Sequence, residues 1–135
     1  IMDQQQQELL FKLSMSEQHI RHLQQQLQAV EESITELSSL DFGLDEIGGS
    51  VGKEILASLG RGIFVKAKLL SEDLIVDVSS KNLVKKSIPE TKKIIKEQTE
   101  KLLEIKKELE EKVDEINREL TKIIFEAREK DDGIK

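Results

Sequence analysis

Residues 57–80 read ASLGRGIFVKAKLLSEDLIVDVSS, and this stretch decides the fold. On either side of it apolar residues recur every three or four positions; inside it they recur every second position, and glycines interrupt the runs. A period of two marks an extended strand with one covered face, and a period near 3.6 marks a helix. Short strands between two helices are therefore expected. Four are readable, at about Glu54 to Leu59, Ile63 to Leu69, Leu74 to Ser79 and Leu83 to Lys86. Gly60-Arg61-Gly62, Ser71-Glu72-Asp73 and Ser80-Lys81-Asn82 supply the turns.

Ile63, Val65, Ala67 and Leu69 alternate onto one face, as do Leu74, Val76 and Val78. If Leu69 opposes Leu74, Lys66 falls opposite Asp77 as a cross-strand charge pair. Strands this short cannot bury both sheet faces, and their edges present unpaired N–H and C=O groups. Completion of the hairpins by strands of neighbouring chains, in a shared sheet or barrel, is the expected remedy. Packing on the chain's own helix ends is the alternative.

Working outward, positions 2, 6, 9, 13, 16, 20, 23, 27, 30, 34 and 37 step alternately by four and three, and nine of the eleven are apolar. That is a heptad seam, and it predicts an amino-terminal helix of about 38 residues. The carboxy-terminal arm opens with Ser87 and Glu90 at capping-box spacing and Pro89 in the first turn. Its seam is read as Ile95, Gln98, Leu102, Ile105, Leu109, Val113, Ile116, Leu120, Ile123 and Ala127, with a four-residue stutter between Leu109 and Val113. Glu97–Lys101, Glu108–Lys112 and Glu126–Lys130 stand at the spacing of intrahelical ion pairs.

Two helices of matching length can fold back on each other as an antiparallel coiled-coil hairpin, pairing of each arm with its counterpart in a second chain being the alternative. The predicted class is mainly α, with two β-hairpins between the helices contributing to an intersubunit β-barrel. The expected divisions are a helix at 2–40, a Gly-rich linker at 41–53, the oligomerisation hairpins at 54–86, a helix at 87–129 and a tail at 130–135. Ile1, ahead of Met2, is expected to be an appended residue.

Composition agrees with a thin, extended helical structure. Of 135 residues, 37% are hydrophobic and 36% charged, against about 25% charged in ordinary domains. Four Phe with no Trp or Tyr leave little to wall a pocket. The formal net charge of -6 argues against nucleic-acid binding, and the absence of Cys excludes disulfides and thiol chemistry. The longest apolar runs are three residues, so no membrane span is expected and the reading is soluble and cytoplasmic.

Within the hairpin stretch, ILASLGRGIFVKA (Ile55 to Ala67) resembles the hairpin of alpha-class prefoldin subunits: an apolar strand runs into Gly-x-Gly, then Phe, a small residue and lysine. Gly60, Gly62, Phe64, Val65, Lys66 and Ala67 carry the match, and the order helix, two hairpins, helix is also that of the family. Ser58 stands where the family commonly has proline, and Ser79-Ser80-Lys81 where a second Gly-x-Gly is usual. The resemblance implies a hetero-hexamer of two alpha-class and four single-hairpin beta-class subunits whose hairpins form a double β-barrel. Unfolded polypeptides would be held at the free ends of the coils and passed to a group II chaperonin, without nucleotide or cofactor.

On that reading Gly60, Gly62, Ile63, Phe64, Val65, Ala67, Leu74, Val76 and Val78 serve oligomerisation. Leu10, Phe11, Met15, Ile124 and Phe125, apolar but off the seam, are the candidate client-contact residues. The alternative for Phe11 and Phe125 is that they widen the seam near fraying ends. The alternative function is a coiled-coil adaptor for one folded partner.

Other signals are weaker. GGSVGKE (Gly48 to Glu54) is one residue short of a phosphate-binding loop and carries Glu54 where Ser or Thr would hold magnesium. His19 and His22 lack a third metal ligand. The carboxylates lie on charge-patterned helix faces with no apolar pocket to raise a pKa, so an enzyme is not expected.

Overall fold

The computed structural model describes residues 3–134, the last five by backbone alone. It contains α1 (Gln4–Ile47), β1 (Glu54–Gly60), β2 (Ile63–Lys68), β3 (Leu74–Ser79), β4 (Asn82–Lys86) and α2 (Ile88–Ile134). The residues form two compact units: a coil unit made of 3–33 with 102–134, and a hairpin unit made of 34–101.

In the coil unit the two helices run antiparallel, and Glu31 meets Lys106 at 3.8 Å. Leu23, Leu109 and Ile116 form the buried core, flanked by Ile20, Leu27, Val30, Val113 and Leu120. These are the α1 and α2 positions expected from the heptads, and each stripe covers the other. The start of α1 is fixed by a reciprocal cap: the Gln6 N–H donates to Asp3 Oδ1 at 2.8 Å, and the Asp3 N–H donates to Gln6 Oε1. Gln6 is therefore an exposed capping residue and not a seam residue. Met2, also expected on the seam, lies outside the described residues.

The expected α2 seam is corrected at two positions. Gln98 and Ile105 are exposed, while Thr99 and Lys106 take the covered places, giving a sequence 95, 99, 102, 106, 109, 113, 116, 120, 123, 127. The steps alternate four and three throughout, so the stutter at Leu109–Val113 does not exist. Lys106 belongs there because its methylene stem packs while its ammonium reaches Glu31 and Glu110. Thr99 satisfies its hydroxyl by donating to the Ile95 carbonyl at 2.8 Å. Among the described residues, Glu97–Lys101 and Glu108–Lys112 are not closed to within 4 Å; Glu17–Arg21 and Lys106–Glu110 are the intrahelical pairs formed. A solvated pair is worth only about 0.3 kcal/mol, too little to hold two long side chains together. The Lys130 side chain of the third expected pair lies outside the described residues.

In the hairpin unit α1 continues to Ile47, seven residues past the expected end at Leu40. Gly43 inside a helix costs about 1 kcal/mol. Leu44, on the continued seam, is 4% exposed, and burying it returns about 2 kcal/mol, so the helix persists. It stops where Gly49 takes a positive φ of 77° and its N–H donates to Glu72 Oε1 at 2.6 Å. The expected tail from 130 is likewise helical as far as Ile134, no breaker preceding Gly133; Lys135 lies outside the described residues.

The start of α2 follows its sequence signal. The Glu90 N–H donates to Ser87 Oγ, and the Ser87 hydroxyl donates to Glu90 Oε1 at 3.1 Å.

The four strands form two separate antiparallel pairs, β1 with β2 and β3 with β4. Leu56 faces Lys66, Ser58 faces Phe64, Ile75 faces Lys85 and Asp77 faces Leu83. The expected pairing of Leu69 with Leu74, and of Lys66 with Asp77, is not made. Leu69 instead donates its N–H to the Lys53 carbonyl and accepts the Gly52 N–H at 2.7 Å, extending the first hairpin. Its backbone groups are thus committed, and Leu70–Asp73 becomes a crossover between hairpins.

Candidate functional site

The hairpin unit presents two kinds of sheet face. One carries Ile55, Ala57, Val65 and Ala67 on the first hairpin and Leu74, Val76 and Val84 on the second. Most of these are half-buried within the unit, Val65 and Val84 being exposed. The other carries Leu56 and Phe64, then Ile75 and Leu83, and every residue on it is exposed. Among the expected oligomerisation residues, Ile63, Phe64, Val65 and Val78 are exposed apolar side chains. Ala67, Leu74 and Val76 are half-buried. Gly60 and Gly62 sit in the first turn with φ of 105° and 76°, a backbone that side chains resist.

Leu56, Leu59, Ile75, Leu83 and Val84 are equally exposed on the hairpins and were missed by the sequence reading. The available signal was that β1, β3 and β4 carry apolar residues at consecutive positions, so that both faces of each hairpin are apolar.

Below the hairpins, Lys92 reaches two carboxylates one turn apart on α1, Asp45 and Asp41. The Asp45 carboxylate, helped by Asp41, holds the Lys92 ammonium above the ordinary lysine range, although partial desolvation works the other way. This three-residue clamp joins α1 to α2 at the base of the hairpins. Nothing in periodicity marks it, because Asp41 lies in the segment expected as linker.

The Gly-rich segment Gly48–Lys53 turns its amides inward. Gly48 donates to Leu44, Gly49 to Glu72, Ser50 to Ile47, Gly52 to Leu69 and Lys53 to Ser50. A carboxylate of the chain itself already occupies the amide that a phosphate would want, and the segment leads into β1, not into a helix. His22 Nε2 shares a 3.4 Å hydrogen bond with Gln26. Among the described residues no group of three potential ligands could hold a metal ion, and no helix is long and apolar enough to cross a membrane.

In the coil unit, Leu10, Phe11 and Met15 project off the α1 seam and Ile124 and Phe125 off the α2 seam. All five are exposed, Phe11 by 66% and Phe125 by 61%. The antiparallel register set by Glu31 opposite Lys106 puts residues 10–15 at the level of 122–127. The two sets therefore share one end of the coil, where Gln4, Gln7, Glu8 and Lys12 surround Phe11.

Comparison with known proteins bears on both surfaces. The family described as Prefoldin, prefoldin subunit, matches residues 16–131. A prefoldin subunit alpha of Methanosphaera stadtmanae is 28% identical over 86 residues, which is 64% of this chain and 62% of that protein. One of Methanobrevibacter smithii is 33% identical over 82 residues, 60% of this chain and 56% of that protein. The chain thus spans about three fifths of the length of the curated relatives it matches. A cryo-EM structure of filamentous PFD from Methanocaldococcus jannaschii superposes with a TM-score of 0.73 at 20% identity, covering 85% of this chain and 97% of that one. Two long helices bracketing two small hairpins are the fold they share, and the chain belongs to the prefoldin family, as an alpha-class subunit.

Proposed function

We propose that the chain is a subunit of an ATP-independent chaperone that holds unfolded polypeptides at the ends of its coil. The observation that carries this reading is the cluster of exposed apolar side chains off the seam at one end of the coil unit, Phe11 and Phe125 above all. A seam needs only its a and d positions, so these side chains add nothing to helix pairing. Exposed aliphatic and aromatic groups with glutamine and charge beside them bind non-native segments weakly and without sequence preference.

The hairpins supply assembly. Their exposed apolar residues and open strand edges are completed by hairpins of other prefoldin subunits, closing a β-barrel. The proposed complex is a hetero-hexamer of two such alpha-class chains with four single-hairpin beta-class chains, which passes its clients to a group II chaperonin.

The test combines Leu10→Ser, Phe11→Ser, Ile124→Ser and Phe125→Ser. The expected result is an intact complex with a beta-class partner, by native mass, that no longer slows aggregation of several unrelated denatured proteins. Full suppression by that variant would sink the proposal, as would wild-type chain that protects one protein and ignores the rest.

A further inference from the structure

The exposed apolar residues at the coil end do not share one face, and their places around the two helices say what shape of segment suits them. At about 100° per residue, measured from the half-buried Leu9 and Leu13, Phe11 points away from α2. Phe125, measured from the half-buried Ile123 and Ala127, points away from α1. Leu10 and Ile124 stand between these outer faces and the seam.

The ion contacts of Lys106 show that Leu10 and Ile124 occupy the same flank. Lys106 reaches Glu31 at 3.8 Å and Glu110 at 3.9 Å, so those two carboxylates lie on one side of the coil. Leu10 is three heptads before Glu31, and Ile124 is two heptads after Glu110, so each repeats the place of its carboxylate. At this level the opposite flank carries Lys12 and Glu126, both exposed and charged. Met15, one turn from Phe11, widens the outer face of α1.

Glu31 opposite Lys106 also puts Phe11 level with Phe125 to within one residue. Phe11, Leu10, Ile124 and Phe125 thus make a band that runs over one flank, from outer face to outer face. Two helices about 9 Å apart, each about 11 Å across with its side chains, span about 20 Å. An extended chain covers that distance in about six or seven residues, and its side chains on one face recur about every 7 Å. Four such side chains therefore fall on the four apolar contacts. A helix, being straight, would touch one outer face and leave the rest of the band bare.

We propose that the coil end takes client segments in extended form, laid across the coil over the Leu10 and Ile124 flank, with apolar side chains at alternate positions over about seven residues. The inference rests on the chaperone reading and adds the class of segment held, an unpaired strand, defined by arrangement and not by sequence. Such segments are the ones whose open edges drive aggregation.

Binding of labelled peptides to the full chain, read by fluorescence anisotropy, tests it. One peptide alternates four leucines with serine, a second holds the four leucines consecutively, so that only two share a face, and a third of equal length holds two leucines. Binding to the hairpins is removed by subtracting the signal of the variant that combines Leu10→Ser, Phe11→Ser, Ile124→Ser and Phe125→Ser. The alternating peptide is expected to bind at least about tenfold more tightly than either of the others, and Leu10→Ser with Ile124→Ser to erase that preference. The chain has no Cys, so one introduced by substitution is unique. With a cysteine-reactive group at its centre, the alternating peptide is expected to label Ser14→Cys, one turn from Leu10, about fivefold faster than Lys12→Cys on the other flank, each rate taken relative to N-ethylmaleimide. No binding above that of the fourfold variant, equal binding of the three peptides, or equal labelling at the two cysteines overturns the extended crossing, even where the chain suppresses aggregation. A fourfold variant that suppresses aggregation as fully as wild type instead removes the chaperone reading on which the inference rests.

Discussion

Leu23 and Leu56 are the same side chain in opposite circumstances. Leu23, in the coil unit, is 3% exposed and packed against α2 by its own chain; Leu56, on a hairpin, is 66% exposed. The contrast separates residues that this chain covers for itself from residues that it leaves exposed. Both units use regular apolar periodicity, so pattern alone does not distinguish them. What distinguishes them is whether the chain contains a complementary stripe: each helix finds one in the other, and each two-stranded sheet does not.

The comparison breaks most sharply on paired truncations. Leu23→Ala and Leu109→Ala are each expected to cost about 3 kcal/mol, the lost transfer energy plus an unfilled cavity. Leu56→Ala, losing little buried surface, should stay within about 0.5 kcal/mol. Urea unfolding of the chain alone, followed by circular dichroism, measures both. An equal cost at Leu56 would mean that the hairpin face is covered within the chain, and the division between the two regions would fall.

How far each region was legible follows from the same distinction. The α1 seam, the capping box at Ser87 and the strand positions were readable, since each rests on local spacing that the backbone obeys. Thr99 and Lys106 were not, because polar residues on a seam are invisible to an apolar count; their place is secured by a carbonyl and two carboxylates. The extension of α1 was hidden by Gly43, whose cost is local, while the burial of Leu44 and the Lys92 clamp that offset it are tertiary. The separation of the hairpins depended on Leu69 pairing backward with Lys53, a choice that alternation does not encode. Of the candidate site, the exposed coil end was legible because its residues lie off a strict heptad, whereas the second hairpin face needed the strand register.

Lys106 sharpens the comparison from within the coil. A seam position filled by lysine sacrifices stability for register, since its ammonium must find Glu31 and Glu110. Lys106→Leu is expected to raise the unfolding free energy by about 1.5 kcal/mol while loosening the match of α1 to α2. Unfolding by urea reads the gain, and sedimentation reads any new pairing between chains. Unchanged stability would show that the lysine stem already contributes as much as a leucine.

The smallest effect lies in the hairpin turns, and it separates two elements that otherwise look alike. Both are two-residue turns with positive φ at both positions: Arg61 and Gly62 at 52° and 76°, Ser80 and Lys81 at 37° and 72°. That geometry suits Asn-Gly, and a side chain held there strains the backbone. The first turn places glycine at its second position, so its strain is confined to Arg61; the second turn has no glycine at all. Ser80→Asn with Lys81→Gly should therefore stabilise the second hairpin by about 1 kcal/mol, slowing exchange of its β3 and β4 amides about fivefold. Arg61→Asn should change the first hairpin less, because Gly62 already relieves the tighter position. Equal gains at both turns would show that Ser80 and Lys81 cost the second hairpin nothing beyond what Arg61 costs the first, and that departure from the Gly-x-Gly pattern carries no penalty in folding.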